Sequence, residues 1–145
     1  MLFRKRFLRK LDEEQIINSI KKAENMTSGE IRVHVQYKLK GELMAETARV
    51  FHELEMDQTE NRNGVLILIV PSKKVFSILG DKGINDKVPD NFWEDIKKDL
   101  ELHFKANKIS EGLSKNIEKI GEKLKEHFPF QQNDENELPD SISFA

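Results

Sequence analysis

The chain contains no cysteine. That excludes disulfides, thiolate nucleophiles and cysteine-bound metals, and it suits a reducing compartment such as the cytoplasm, the expected location. No run approaches the ~18 consecutive apolar residues of a membrane span; residues 65–70, VLILIV, make a run of six. Charge of one sign is also lacking. The net charge of −2 gives nucleic acid no basis as a main partner. Internal repeats and low-complexity tracts are missing as well. What charge asymmetry there is lies at the ends. Residues 1–10, MLFRKRFLRK, carry five basic side chains, whereas Asp134, Glu135, Glu137 and Asp140 make the segment after Phe128 acidic. The first ten residues lack the apolar stretch of a secretory signal. They read as the approach to the first helix, with at most weak contact to an anionic membrane surface.

Residues 62–83, RNGVLILIVPSKKVFSILGDKG, organise the rest. Residues 65–70 are apolar, β-branched-rich and too short for a comfortable helix, which predicts a strand buried on both faces. A Pro-Ser-Lys turn leads into a second run at 74–79. So short a link permits only an antiparallel hairpin. The hairpin brings Asn61, Asn63 and Gly64 beside Gly80, Asp81 and Gly83.

Upstream, residues 12–25 read as a helix with Asp12 as N-cap and Gln15 at the capping-box position. Residues 30–39 alternate Ile31, Val33, Val35 and Tyr37 with polar side chains. That predicts a strand with one covered face, near the edge of a sheet. A helix over 42–56 joins it to the strand at 65–70, so the two strands should run parallel through a right-handed crossover. Glu30 then starts at the same sheet edge as Asn63. Downstream, 80–90 reads as a loop, 91–106 as a helix started by Pro89-Asp90, and 110–128 as a last helix capped by Ser110. The expected architecture is a three-layer α/β/α sandwich with a small mixed sheet, formed as one domain by residues 1–130. Residues 131–145 form an acidic tail. Leu138, Ile142 and Phe144 punctuate that tail, so residues 136–144 are expected to dock on this body or on a protein partner, with 131–135 as a link.

Several pieces in this order resemble the TPM domain family, named for a plant thylakoid-lumen protein, a photosystem subunit and a nematode receptor modulator. They are Thr27-Ser28-Gly29-Glu30-Ile31, Phe51 to Met56 and Thr59, Arg62-Asn63-Gly64-Val65-Leu66-Ile67, Gly80-Asp81-Lys82-Gly83-Ile84, Phe92-Trp93, Gly112-Leu113 and Asn136-Glu137-Leu138-Pro139-Asp140. The resemblance covers about residues 12–140. It implies an α/β/α sandwich, divalent-cation binding in some members, an acid phosphatase activity in plant members and a modulator role in others. The chain has Gly-Asp-Lys-Gly-Ile-Asn where the family more commonly has Gly-Tyr-Gly-Leu-Glu.

The candidate site is the edge cluster Glu30, Asn63, Asp81, Asp86 and Asp90. Hard cations such as Ca²⁺ and Mg²⁺ take carboxylate, amide and carbonyl oxygens, which this set supplies. Asp81 and Asp86 are the expected direct ligands, with Asn63 or loop carbonyls completing the shell and Asp90 partly engaged in capping. The order of an EF-hand loop is absent. His34, His52, His103 and His127 lack metal-ligand spacing. The expected function is a cation-binding regulatory module, with a metal-dependent acid phosphatase as the alternative.

Overall fold

The computed structural model describes residues 11–130 and 142–145. The basic stretch at 1–10 and the tail residues Asp134, Glu135, Glu137, Leu138 and Asp140 lie outside the described residues.

Helix α1 spans Glu13–Glu24 and begins where the sequence predicts, with Asp12 accepting a hydrogen bond from the Gln15 amide. The reciprocal half of a capping box does not form. The Asp12 amide instead donates to Ser110 Oγ, 2.8 Å away on the last helix. Strand β1 (Glu30–Val35) leads through α2 (Leu43–Glu53) and a short 3₁₀ turn (Met56–Gln58) to β2 (Gly64–Val70). A second 3₁₀ turn (Pro71–Lys73) reverses the chain into β3 (Val75–Gly80). Then come α3 (Lys82–Asn85), α4 (Phe92–Lys105) and α5 (Ile109–His127), and β4 (Ser143–Phe144) follows near the C-terminus.

The sheet order is β3-β2-β1-β4. As predicted, β1 and β2 are parallel, with Glu30 opposite Gly64, and β2 and β3 are antiparallel, with Val65 opposite Gly80. All seven residues of β2 are buried, because it has a strand on each side and helices on both faces. On one face Ile31, Val33, Val35, Val65, Ile67, Ile69 and Ile78 meet α1, α4 and α5. On the other, Leu66, Leu68 and Val70 meet Val50, Phe51 and Met56 of α2 and the turn after it. The result is the α/β/α sandwich.

Four details differ from the sequence expectation. Strand β1 is interior and covered on both faces, because Ser143 and Phe144 pair in parallel with His34 and Val35. That pairing also docks the end of the tail: Ile142 is buried and Phe144 packs on the core. The loop at 80–90 contains the one-turn helix α3. Helix α4 has Asn91 at its N-cap with no side-chain capping bond, so Asp90 does not cap it. Finally, α5 starts at Ile109 with Lys108 at the N-cap, so Ser110 lies inside the helix and serves α1 instead.

Candidate functional site

The edge where β1 and β2 start and β3 ends is assembled by tight backbone approaches. Arg62 takes a left-handed conformation, φ +52°. The Arg62 amide donates to the Thr59 carbonyl at 3.2 Å and the Asn63 amide to Thr59 Oγ1 at 3.3 Å, which closes the turn into β2. Gly64 passes against the 3₁₀ turn so closely that a Cβ there would lie 2.9 Å from the Met56 carbonyl oxygen. Gly83, from α3, presses on the turn into β2; its amide donates to the Arg62 carbonyl at 2.8 Å, and a Cβ would sit 2.1 Å from the Asn61 carbonyl oxygen. Any side chain at either position would displace backbone, so the glycines of the Asn-Gly and Gly-x-x-Gly pieces set the spacing of the edge.

Asp81 joins the two strands of the hairpin. Its amide donates to the Gly64 carbonyl at 2.9 Å, and its carboxylate accepts from the Lys82 amide at 2.7 Å, capping α3. Arg62 grips the same carboxylate with both arms of its guanidinium, Nε to Oδ2 at 2.7 Å and Nη2 to Oδ1 at 2.9 Å. A forked pair of this kind is the stronger form of a charge-assisted contact. The hydrogen bonds to Asp81, and then its charge, raise the Arg62 pKa above its ordinary value. Asp81 is buried, whereas the Arg62 side chain is half in water.

Asn63 is 1% exposed. Its side-chain amide donates to Ser28 Oγ at 3.4 Å, while its Oδ1 is buried and accepts no hydrogen bond among the described residues. Glu30 is buried opposite Gly64, its amide 3.4 Å from the Asn63 carbonyl oxygen. Strand alternation places Glu30 in the row with Arg32 and His34, toward α2. Glu30, Asn63 and Asp81 thus share one sheet edge, as the hairpin and the crossover predict. Asp86, at the C-cap of α3, and Asp90 are exposed beyond it. Among the described residues, no three acidic or histidine side chains converge in a group that could hold a metal.

Two residues of the edge escape a sequence reading. Arg62 is one, although its place beside Asn63-Gly64 at the mouth of a hairpin was a usable signal. Asn85 is the other: its Nδ2 donates to the Gly80 carbonyl at 2.7 Å and its Oδ1 accepts from Trp93 Nε1 at 2.9 Å. Trp93 therefore fixes α3 against the end of β3, with its ring edge-to-face on Phe92 at 4.9 Å.

Histidine chemistry lies elsewhere. His34 is buried in β1 with Nδ1 2.7 Å from Ser143 Oγ, and burial lowers its pKa. No helix among the described residues is long and apolar enough to cross a membrane.

The fold has counterparts in known proteins. No protein of curated function matches the chain. The solution structure of the BA42 protein from the psychrophilic bacterium Bizionia argentinensis superposes with a TM-score of 0.86, at 43% identity over 92% of each chain. The N-terminal domain of a P. gingivalis protein shares the fold, with a TM-score of 0.65 at 20% identity over 83% of this chain and 80% of its own. The sequence model labelled TPM_phosphatase and described as the TPM domain matches residues 4–123, which include β1, the glycine-bounded edge and α3. With that match spanning most of its length, the chain belongs to the TPM domain family.

Proposed function

We propose that this TPM domain is a regulatory binding module whose ligand at the strand-start edge is a divalent cation, Ca²⁺ or Mg²⁺. The observation that carries the reading is the Asn63 side-chain oxygen, buried and without a donor among the described residues. Leaving such an acceptor unsatisfied costs about 1–3 kcal/mol. A hard cation, which takes amide and carboxylate oxygens, is a partner that would remove that cost. Asp81 is the main carboxylate of the edge, Glu30 is its second acidic group, and Asp86 and Asp90 stand exposed beyond it. Since Asp81 is held by Arg62, the reading requires a cation to compete with the guanidinium, which its half-exposed side chain can surrender to water.

Backbone amide NMR titrations with each cation test this in wild type, Asp81→Asn and Arg62→Gln. Shifts are expected at residues 61–64 and 80–86. Binding should be lost in Asp81→Asn and tightened in Arg62→Gln, which frees the carboxylate. At a free-ion concentration ~100 times the dissociation constant, the fold should gain about 2.7 kcal/mol by mass action. Identical melting temperatures in chelator, Ca²⁺ and Mg²⁺ would end the reading.

A second reading, a metal-dependent acid phosphatase, is supported by the label of the family's sequence model. A bound cation would polarise a phosphoryl oxygen. Cation-dependent hydrolysis of an aryl phosphate that disappears in Asp81→Asn would favour the enzyme over the module.

A further inference from the structure

The two edges of the sheet are finished differently. At one, β4 covers the end of β1, with the Ala145 amide donating to the Val35 carbonyl at 2.8 Å. At the other, β3 has no strand beyond it among the described residues. The bond from the Asp81 amide to the Gly64 carbonyl fixes which backbone groups of β3 face inward. Two-residue alternation then makes Val75, Ser77 and Leu79 the residues that bond β2, so Phe76, Ile78 and Gly80 turn their N–H and C=O groups outward. Gly80 obeys this: its carbonyl receives Asn85 Nδ2 at 2.7 Å, which closes that end of the edge. Phe76 and Ile78 have no such partner among the described residues.

A groove of about 480 Å³ lies along the turn-side half of this edge, lined on β3 by Val75, Phe76 and Ser77, and stops short of Ile78. Its two sides differ chemically. Toward α2 it is apolar, lined by Leu43 and by Met44, which is 40% exposed. Toward α4 it carries Lys97 and Lys105, with Glu101 between them and Phe104 packed edge-to-face on Phe76 at 5.0 Å. Lys74 stands at the hairpin end. None of these three lysines has an ion pair among the described residues.

We propose that the β3 edge is a docking site for an extended, acidic segment of another protein, which adds to the sheet as a further strand on Phe76 and Ile78. Side chains of an added strand point alternately to the two faces. The occupant therefore alternates apolar residues toward Leu43 and Met44 with acidic residues toward Lys97 and Lys105. Main-chain bonds supply the pairing and the two unlike walls supply the specificity. The closure at Gly80 limits the added strand to the half of β3 nearest the turn.

The test uses a labelled heptapeptide of alternating glutamate and valine, and a control of the same composition with its glutamates and valines in two blocks. The alternating peptide is expected to slow solvent exchange of the Phe76 and Ile78 amides, and the block peptide to bind about tenfold more weakly. The double variant Lys97→Glu, Lys105→Glu should lose about tenfold in affinity for the alternating peptide. Both positions lie on the groove rim, so its unfolding transition should stay near that of wild type. The proposal is overturned by no binding, by equal binding of the two peptides, or by binding that leaves Phe76 and Ile78 exchange unchanged. Protection that grows with protein concentration alone would assign the edge to a second copy of the chain and overturn it too.

Discussion

The two faces of the sheet are buried by different means. Beneath α1, α4 and α5 the row of Ile31, Val33, Val35, Val65, Ile67, Ile69 and Ile78 is wholly apolar, and three helices close over it. Beneath α2 alone, leucines of β2 share the space with polar groups from its neighbours, and those groups are tied by directed bonds. Thr47 Oγ1 donates to the Leu43 carbonyl at 2.8 Å and meets Ser77 Oγ at 2.5 Å across the helix–sheet boundary. The Gln36 side chain donates to the Lys38 carbonyl at 2.8 Å and to Glu46 at 3.1 Å. His34 holds Ser143. One face is stabilised by filled volume, the other by hydrogen bonds as well, although His34 Nε2 and Arg32 Nε in that row are buried without a hydrogen-bond partner among the described residues; losing a further bond there would strand one more buried polar group.

The sharpest way to break this comparison is to empty equal volumes on each side. Ile67 and Leu68 are successive residues of β2, both fully buried, facing opposite helical layers. Ile67→Ala is expected to cost about 3–4 kcal/mol in chemical denaturation, because three helices and the sheet hold the cavity open. Leu68→Ala should cost about 2–3 kcal/mol, because a single helix can settle toward the gap. An equal or larger cost at Leu68 would mean that α2 is as rigidly placed as the three-helix layer.

The polar face is also where the sequence misleads. The strand expected over 30–39 was readable as far as Val35, where it ends, and so were the buried run of β2, the hairpin, the parallel crossover and the Asp12 cap. Most of these signals lie within a few residues of one another, and the crossover follows from the strand–helix–strand order. The placement of β1 was not readable, because the strand that covers it comes from far along the chain: Ser143 meets His34 across 109 positions. A polar residue opposite a distant hydroxyl looks the same in sequence as one facing water. The candidate edge follows the same division. Asn63, Gly64, Asp81 and Gly83 are brought together by a hairpin whose length dictates it. The grip of Arg62 on Asp81 depends on the left-handed turn at Arg62, which the residue type does not announce.

A smaller effect sharpens the comparison at one pair. Thr47→Val keeps the shape of the side chain and removes its hydroxyl, leaving buried Ser77 Oγ without that partner. The expected cost is about 1–2 kcal/mol. Adding Ser77→Ala removes the stranded group, so the double variant should be less destabilised than the sum of the two single ones. Additive losses would show that the pair is incidental and that the face under α2 depends on packing after all.

The smallest effect is expected at His34, and it is visible only as a dependence on pH. Burial is the main cause that lowers its pKa; the side chain of Gln36 opposes this, Arg32 and Arg49 lower it further, and Glu53 raises it. The unfolded chain then binds a proton, near the ordinary value of about 6.5, that the folded chain resists. Where the unfolded state holds more protons, stability rises with pH. The contribution of His34 is therefore fully present above that value and is lost as pH falls toward the lowered pKa of the folded state. His52 works in the opposite direction. It is exposed, its Nδ1 lies 2.7 Å from Asp57, and the hydrogen bond followed by the charge of that carboxylate raises its pKa. Its contribution is present below the ordinary histidine value and fades as pH rises through the raised one. Wild type thus mixes two histidines of opposite sign in one window. In a His52→Asn background, unfolding midpoints between pH 5.5 and 7.5 should fall toward acid, and adding His34→Asn should flatten that slope. The window stays above the ordinary carboxylate range, so Glu46 and Asp99, whose pKa values are lowered, remain ionised throughout. An unchanged slope after His34→Asn would mean that the ring reaches water when protonated, and the face beneath α2 would then be less closed than its hydrogen bonds indicate.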